Sequence, residues 1–358
     1  MTSMHRRRAS STTKTMRGFV AAGMVVGGGF LFSATALATP TAAPGSDGQA
    51  AGGAFAPYVD TSLSPAFDLV ATAKDTGVDT FNLAFLTSGG GCDPKWGGWG
   101  SLPRPQGSGG GDLNSNEVAG QIDDLRAAGG DVRVSFGGAS GSELALACSS
   151  ADELAGAYGK AIDAFKLTKV DFDIEGSALP NTEANTRRAQ AIAQLQKDHP
   201  DLDVSFTLPV MPEGLTQPGT DLLKNAKDNG VNVSAVNIMA MDYGPSYSDD
   251  MAKYAEQAAT AAQGQIKDAL GVSDSEAWQK VAITPMIGVN DVNTEKFTVD
   301  NATELVKFAQ EKGAGWLSMW SATRDKPCDG GSSGSAQPTC SSIDQDALAF
   351  TKAFGAYK

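Results

Sequence analysis

The chain has 358 residues, 41 of them acidic and 28 basic, for a formal charge of −13 at neutral pH, with only two histidines and four cysteines. A hydrophobic content of 41% beside 19% charged residues belongs to a folded protein, not a disordered one. The acidity argues against a nucleic-acid partner, and the scarcity of histidine excludes a multi-histidine metal site and leaves proton chemistry to carboxylates.

Residues 1–17 carry Arg6, Arg7, Arg8, Lys14 and Arg17 and no acid, and 18–37 form a small, apolar run ending near Ala36-Leu37-Ala38. Charged start, apolar centre and small-residue cleavage site read as a secretory signal over 1–38. The competing reading is a membrane anchor, since the run is long enough to span. Cleavage leaves 23 basic against 41 acidic residues, a formal charge of −18, and one histidine, His199, at a helix end. The expectation is a secreted, extracellular protein with no membrane attachment after signal removal. Residues 39–53 are a Pro/Gly/Ala tether, and 54–358 remain as a single catalytic domain.

Within that domain, β-rich runs fall at 55–60, 79–86, 131–136, 169–175, 202–208, 233–241, 280–286 and 315–320. Helical periodicity lies between them at 116–128, 151–165, 182–197, 249–270, 301–312 and 343–357. About eight β-then-α units in some 300 residues predict an α/β fold of the (β/α)8 TIM-barrel class. An open doubly wound sheet is the runner-up, but no GxGxxG follows the first strand. In an exported chain four cysteines suggest two disulfides. Cys328 and Cys340 bracket a Gly/Ser/Pro-rich loop and are natural partners, which leaves Cys92–Cys148. The spacings fit no zinc pattern, so no metal and no cofactor is expected.

A barrel carries its chemistry at the C-terminal ends of its strands. The fourth strand ends Val170-Asp171-Phe172-Asp173-Ile174-Glu175-Gly176. Strand side chains alternate, so Asp171, Asp173 and Glu175 point into the lumen while Val170, Phe172 and Ile174 face the helices. Three acids in one confined space cannot all ionise cheaply, so at least one should keep its proton near neutral pH. That suits a general acid beside a charge-stabilising carboxylate.

VDFDIEG resembles the core of the DxxDxDxE signature of glycoside hydrolase family 18, the chitinases and related endo-β-N-acetylglucosaminidases. Ser135-Phe136-Gly137-Gly138 resembles that family's SxGG motif, and Trp320 matches the tryptophan that floors the central subsite. MAMDYG at 239–244 is similar to the MxMDYG of bacterial and archaeal chitinases, in which an Asp after the seventh strand contacts substrate. Asp291 is the matching position. Two departures stand out: the signature's first Asp falls on Thr168, and the sixth strand lacks the common MxYD.

The resemblance implies substrate-assisted retention, an exception to the two-carboxylate scheme. Glu175 would protonate the glycosidic oxygen, and the sugar's own 2-acetamido carbonyl would attack C1. Asp173 would orient that group, and Asp171, supported by Ser135, would share a proton with Asp173. Tyr243 and Asp242 are candidates for holding the acetamido oxygen. Substrate contacts are expected from Ser135, Gly138, Met239, Asp242, Asp291 and Trp320, with Tyr58 and Trp96 extending the groove. Trp99 shares the exposed Gly-rich loop of Trp96, Phe85 is read as core, and Trp278 as helix packing at the other end of the barrel. The partner is chitin or an N-acetylglucosamine oligosaccharide, and the protein a monomer. From Val289 to Asn301 the chain advances only 12 positions, too few for an added subdomain, so an open endo-type cleft is favoured. The alternatives are an endoglycosidase of N-glycan cores and, less favoured because the acid is kept, a chitin-binding lectin.

Overall fold

The computed structural model describes residues 54–103 and 113–357, so the expected signal (1–38) and tether (39–53) lie outside the described residues. Eight parallel strand positions are present. The first lies over 54–60 in two pieces, Ala54–Phe55 and Tyr58–Asp60. The next seven are Thr80–Ser88, Asp131–Gly137, Lys169–Asp173, Asp203–Met211, Ala235–Met239, Val281–Thr284 and Trp316–Leu317. Each pairs in parallel with its predecessor. The sheet has no free edge in this circuit. Ala54 and Phe55 pair with Trp316 and Leu317 of the eighth strand, while Tyr58, Val59 and Asp60 pair with Asn82, Leu83 and Ala84 of the second. The two ends of the sheet are one chain segment, and the barrel closes through it, as the α/β barrel expectation requires.

The alternation that predicts the fourth strand also builds the core. Phe136, Phe172 and Phe206 stand in register on three adjacent strands, all facing outward. Phe136 stacks on Phe172 at 5.5 Å, and Tyr158 of the helix Ala151–Phe165 meets both edge-on at 4.9 and 5.0 Å. Each fully buried ring of this kind contributes about 1.5–3 kcal/mol. Ser150 caps that helix by accepting the Glu153 N–H, and Asp152 and Glu153 complement its dipole.

Four helices escaped the periodic pattern: Leu69–Thr76, Leu144–Ala147, Gln217–Asp228 and Asp274–Lys280. They are short, and Pro218 in the third reads as a turn although it sits in the first helical turn. The helix expected over 343–357 shrinks to Ala349–Phe354. Its start is set from elsewhere in the chain: buried Asp325 accepts the Phe350 and Thr351 N–H groups at 3.1 and 2.7 Å. The fourth strand stops at Asp173, two residues short of expectation, and the eighth at Leu317. Trp278 packs edge-on against Phe308, as helix packing predicts. Both disulfides, Cys92–Cys148 and Cys328–Cys340, are formed.

Candidate active site

A cleft of about 370 Å³ opens at the C-terminal ends of the strands. Its floor and walls bring together Tyr58, Asp173, Glu175, Met239, Asp242, Asp291 and Trp320 from among the residues named by sequence. Asp171 and Ser135 lie one layer deeper and are fully buried. Gly138, Tyr243 and Trp96 do not line it.

The deepest layer is a cage of hydroxyls around Asp171. Ser135 and Ser205 donate to its two oxygens at 2.6 Å each. The Tyr58 hydroxyl reaches Oδ2 at 3.0 Å, and Thr207 Oγ1 lies 2.9 and 3.0 Å from the two oxygens. Asn237 donates to both Tyr58 and Thr207 and accepts from Thr284, so polar residues of five strands hold one carboxylate in place. These positions could have been found in the sequence. Ser205, Thr207, Asn237 and Thr284 are polar interruptions of otherwise apolar strands, and polar groups buried there need partners.

Asp173 stands one layer up. It is buried, and its Oδ1 has no protein partner among the described residues. Burial holds its pKa well above the usual carboxylate range, and the charges of Glu175 and Asp171 push the same way. The two glycines before it make this geometry possible. Gly137 and Gly138 adopt φ of 103° and 88°. A Cβ on Gly137 would lie 2.1 Å from the Asp173 carbonyl, and one on Gly138 would lie 2.7 Å from the Phe85 ring. The Gly138 N–H bonds that same Asp173 carbonyl at 3.0 Å. Gly138 therefore positions Asp173 and Phe85 and is not itself part of the cleft lining.

Glu175 sits just beyond the strand at the mouth, half-buried. Burial raises its pKa and the Asp242 charge adds to this. Asp242 is raised by burial too, with the Val292 N–H opposing and Asp291 reinforcing. Asp242 occupies the left-handed region at φ 53°, and its Oδ1 accepts the Val292 N–H at 2.8 Å. Beneath these acids lies Arg324, 2% exposed. Its two terminal nitrogens donate to the carbonyls of Ile287, Val289 and Gln337 at 2.9, 2.7 and 2.6 Å, while its Nε has no partner among the described residues. Burial pulls its pKa down to about 10 although Asp291 and Asp242 oppose this. No salt bridge reaches Asp173, Glu175 or Asp242 among the described residues.

Three sequence readings are corrected here. Tyr243, which follows the left-handed Asp242, does not line the cleft. Its ring is buried against Tyr247 and Tyr254 at 5.8 and 6.0 Å. Trp96 is 4% exposed, not a rim residue. The strand Pro94–Trp96 folds back antiparallel on the second strand and drives the indole against Phe165 at 5.7 Å. Phe85, read as core, lines the cleft instead. The register of the second strand slips between Ala84 and Leu86, and this bulge aims the ring at Trp320, on which it stacks at 5.6 Å and 20°. Tyr58 completes the aromatic floor, 6.0 Å from Trp320. Met211, Met241 and Met286 join Met239 in an apolar wall that the sequence did not announce.

Thr168, where the signature's first Asp would fall, is at the opposite end of the fourth strand and donates toward Asp131 at 3.5 Å. Seven residues of extended chain separate it from Glu175, about 23 Å.

No family model matches the chain. It is 35% identical over 289 residues to a probable bifunctional chitinase/lysozyme of Escherichia coli strain K12 and 34% identical to endochitinase 11 of Metarhizium anisopliae. Each match covers 76% of this chain, but 31% and 52% of the respective relatives, so the chain spans a third to a half of their length. Among solved structures, the catalytic domain of a hyperthermophilic chitinase from Pyrococcus furiosus superimposes with a TM-score of 0.75 at 34% identity, over 86% of this chain and 95% of that one. Catalytic-site mutants of that organism's chitinase domain, solved with chito-oligosaccharides, match with a TM-score of 0.74 at 33% identity.

Proposed function

The chain belongs to glycoside hydrolase family 18, the chitinases, and from that premise we propose that it hydrolyses the β-1,4 linkages of chitin by substrate-assisted retention. The observation that carries the reading is the graded stack Asp171, Asp173, Glu175 beneath an aromatic floor, with the outer two acids raised in pKa and free of cations. Glu175, at the mouth, keeps a proton to give to the leaving oxygen. The sugar's acetamido carbonyl attacks C1, so the protein needs no nucleophile of its own, and Asp173 orients that group and balances its growing charge. Asp171, locked by four hydroxyl-bearing residues, fixes the charge behind Asp173. Trp320, Phe85 and Tyr58 receive the apolar face of a sugar ring, and Asp242 and Asp291 its polar edge.

The segment after the seventh strand forms only a two-stranded hairpin, Gly288–Val289 with Lys296–Phe297, which favours an open, endo-acting cleft. The basic-then-apolar start of the chain supports export with a cleaved signal. The deciding experiment is a time course on chitin hexamer that follows product length and anomeric form. The reading expects internal cleavage with β-anomers appearing first. No cleavage, or α-anomers first, overturns it. Intact-mass analysis of protein from the culture medium tests the cut after Ala38.

A further inference from the structure

Glu295 is a buried carboxylate that the chemistry above leaves unused. It is 0% exposed, forms no salt bridge among the described residues, and its Oε2 has no hydrogen-bond partner there. Burial raises its pKa, and the backbone N–H groups of Gly244, Tyr243 and Asp242 oppose this. A carboxylate kept in that state costs stability and calls for a reason beyond packing.

Its partner is the turn that follows the sixth strand. Glu295 Oε1 accepts the Gly244 N–H at 2.8 Å. In the opposite direction, Asp242 Oδ1 accepts the Val292 N–H at 2.8 Å. Each carboxylate thus takes a backbone N–H from the other's loop. The hairpin side of this exchange is anchored. The Asn290 N–H bonds the Glu295 carbonyl at 3.1 Å, and Asn290 Nδ2 donates to the Met286 and Gly288 carbonyls at 2.8 and 3.2 Å. Phe297 lies in the core against Phe350 and Phe354 at 6.4 and 6.2 Å. The turn side is the strained one, with Asp242 at φ 53°. A non-glycine residue in the left-handed region persists only where its surroundings hold it.

We propose that Glu295 is a positioning residue for catalysis: by holding the Gly244 N–H it fixes the turn 242–244 and keeps the Asp242 carboxylate facing Glu175. This rests on the chitinase reading above and adds the part of the fold that sets one acid against the other. The charged groups around Asp242 are Glu175, Asp291, Arg324 and Glu295 itself. The Asp242 charge helps Glu175 keep its proton, so a loosened turn lets that proton go more easily.

The experiment measures kcat/KM on soluble chitin tetramer across pH, beside urea unfolding. It compares wild type with Glu295→Gln, Glu295→Met and Glu295→Asp, and Asp242→Asn with and without Glu295→Met. Glu295→Gln keeps an oxygen at the same reach and should retain most of the activity and the wild-type alkaline limb. Glu295→Met has the length but no acceptor, and Glu295→Asp keeps the charge but falls one methylene short. Both should lower kcat/KM about tenfold and move its alkaline limb to lower pH. In the Asp242→Asn background, Glu295→Met should move the limb no further. Glu295→Gln as impaired as Glu295→Met overturns the proposal, because charge and not reach would then be at work. An unchanged limb with only a lower unfolding midpoint also overturns it, as does a further limb shift in the double variant. If Glu295→Met does not fold, Glu295→Asp against Glu295→Gln carries the same decision. A wild type inert on tetramer at every pH refutes the chitinase reading and this proposal with it, whereas failure among the variants alone leaves that reading standing.

Discussion

The two ends of the barrel treat carboxylates in opposite ways. At the N-terminal ends of the strands, Asp131 is paired with Arg126 at 2.9 Å and with Lys169 at 2.6 Å, and Asp203 with Arg133 at 2.9 Å. Burial would raise these acids, but their cations win and both are lowered. At the C-terminal ends, Asp173, Glu175 and Asp242 have no such partner and all are raised. The strands that begin with matched charge finish with charge in conflict. One end is built for holding the barrel together. The other stores protons where the fold gains nothing from them, which is the mark of a working site.

That contrast can be broken by exchanging its parts. The largest effect belongs to Glu175→Gln, which removes the transferable proton and no packing. Hydrolysis of chitin oligomers should fall by about 10²- to 10⁴-fold with an unchanged unfolding transition. Full activity in this variant would sink the assignment. Arg133→Met acts at the other end and should do the reverse. It strands the Asp203 carboxylate and uncovers Trp316, over which the guanidinium lies at 5.3 Å. A loss of about 1–3 kcal/mol in urea unfolding is expected, moderated because Asp203 is partly solvated, with no change in the pH profile of kcat/KM.

Asp173→Asn separates function from stability at a single residue. A carboxyl raised in the folded state lends stability at low pH and loses it as pH rises through the raised value. The amide has no charge to bury, so the variant should be the more stable of the two above that value, with the gap closing toward acid. Activity should nonetheless collapse. Matched denaturant midpoints across the pH range would contradict the raised pKa. The smallest effect is expected from Asp242→Asn. Without that charge Glu175 loses its proton more easily, so the alkaline limb of kcat/KM should move to lower pH. A shift to higher pH would show that Asp242 does not face Glu175.

How much of this was readable in advance depended on whether local pattern or distant contact sets the geometry. The eight strands and the inward run Asp171, Asp173, Glu175 follow from period-two alternation, which survives folding unchanged. Tyr243 and Phe85 were misplaced for the opposite reason. A single left-handed residue at Asp242 and a one-residue slip at Phe85 each break the alternation, and neither leaves a trace in composition. Trp96 was misread because its glycine neighbours imply exposure, while the partner that buries it, Phe165, lies 69 positions along the chain. Arg324 and the shortened last helix are products of contacts with remote carbonyls and with Asp325, which no window of sequence displays.

The split first strand has a consequence for the order of events in folding. Its closing contacts span a sequence separation of 262, as in the bond from Ser318 to the Ala56 carbonyl. Contacts of that range carry the greatest loop-closure cost and form late. Until the eighth strand docks, the first has an open edge beside it, and Tyr58 and Trp320, one on each side of this seam, are not yet neighbours. The floor of the cleft is thus assembled by the same step that completes the barrel. A partly folded chain would display its acids without a surface to seat a sugar, and catalytic competence would arrive all at once, with topological closure.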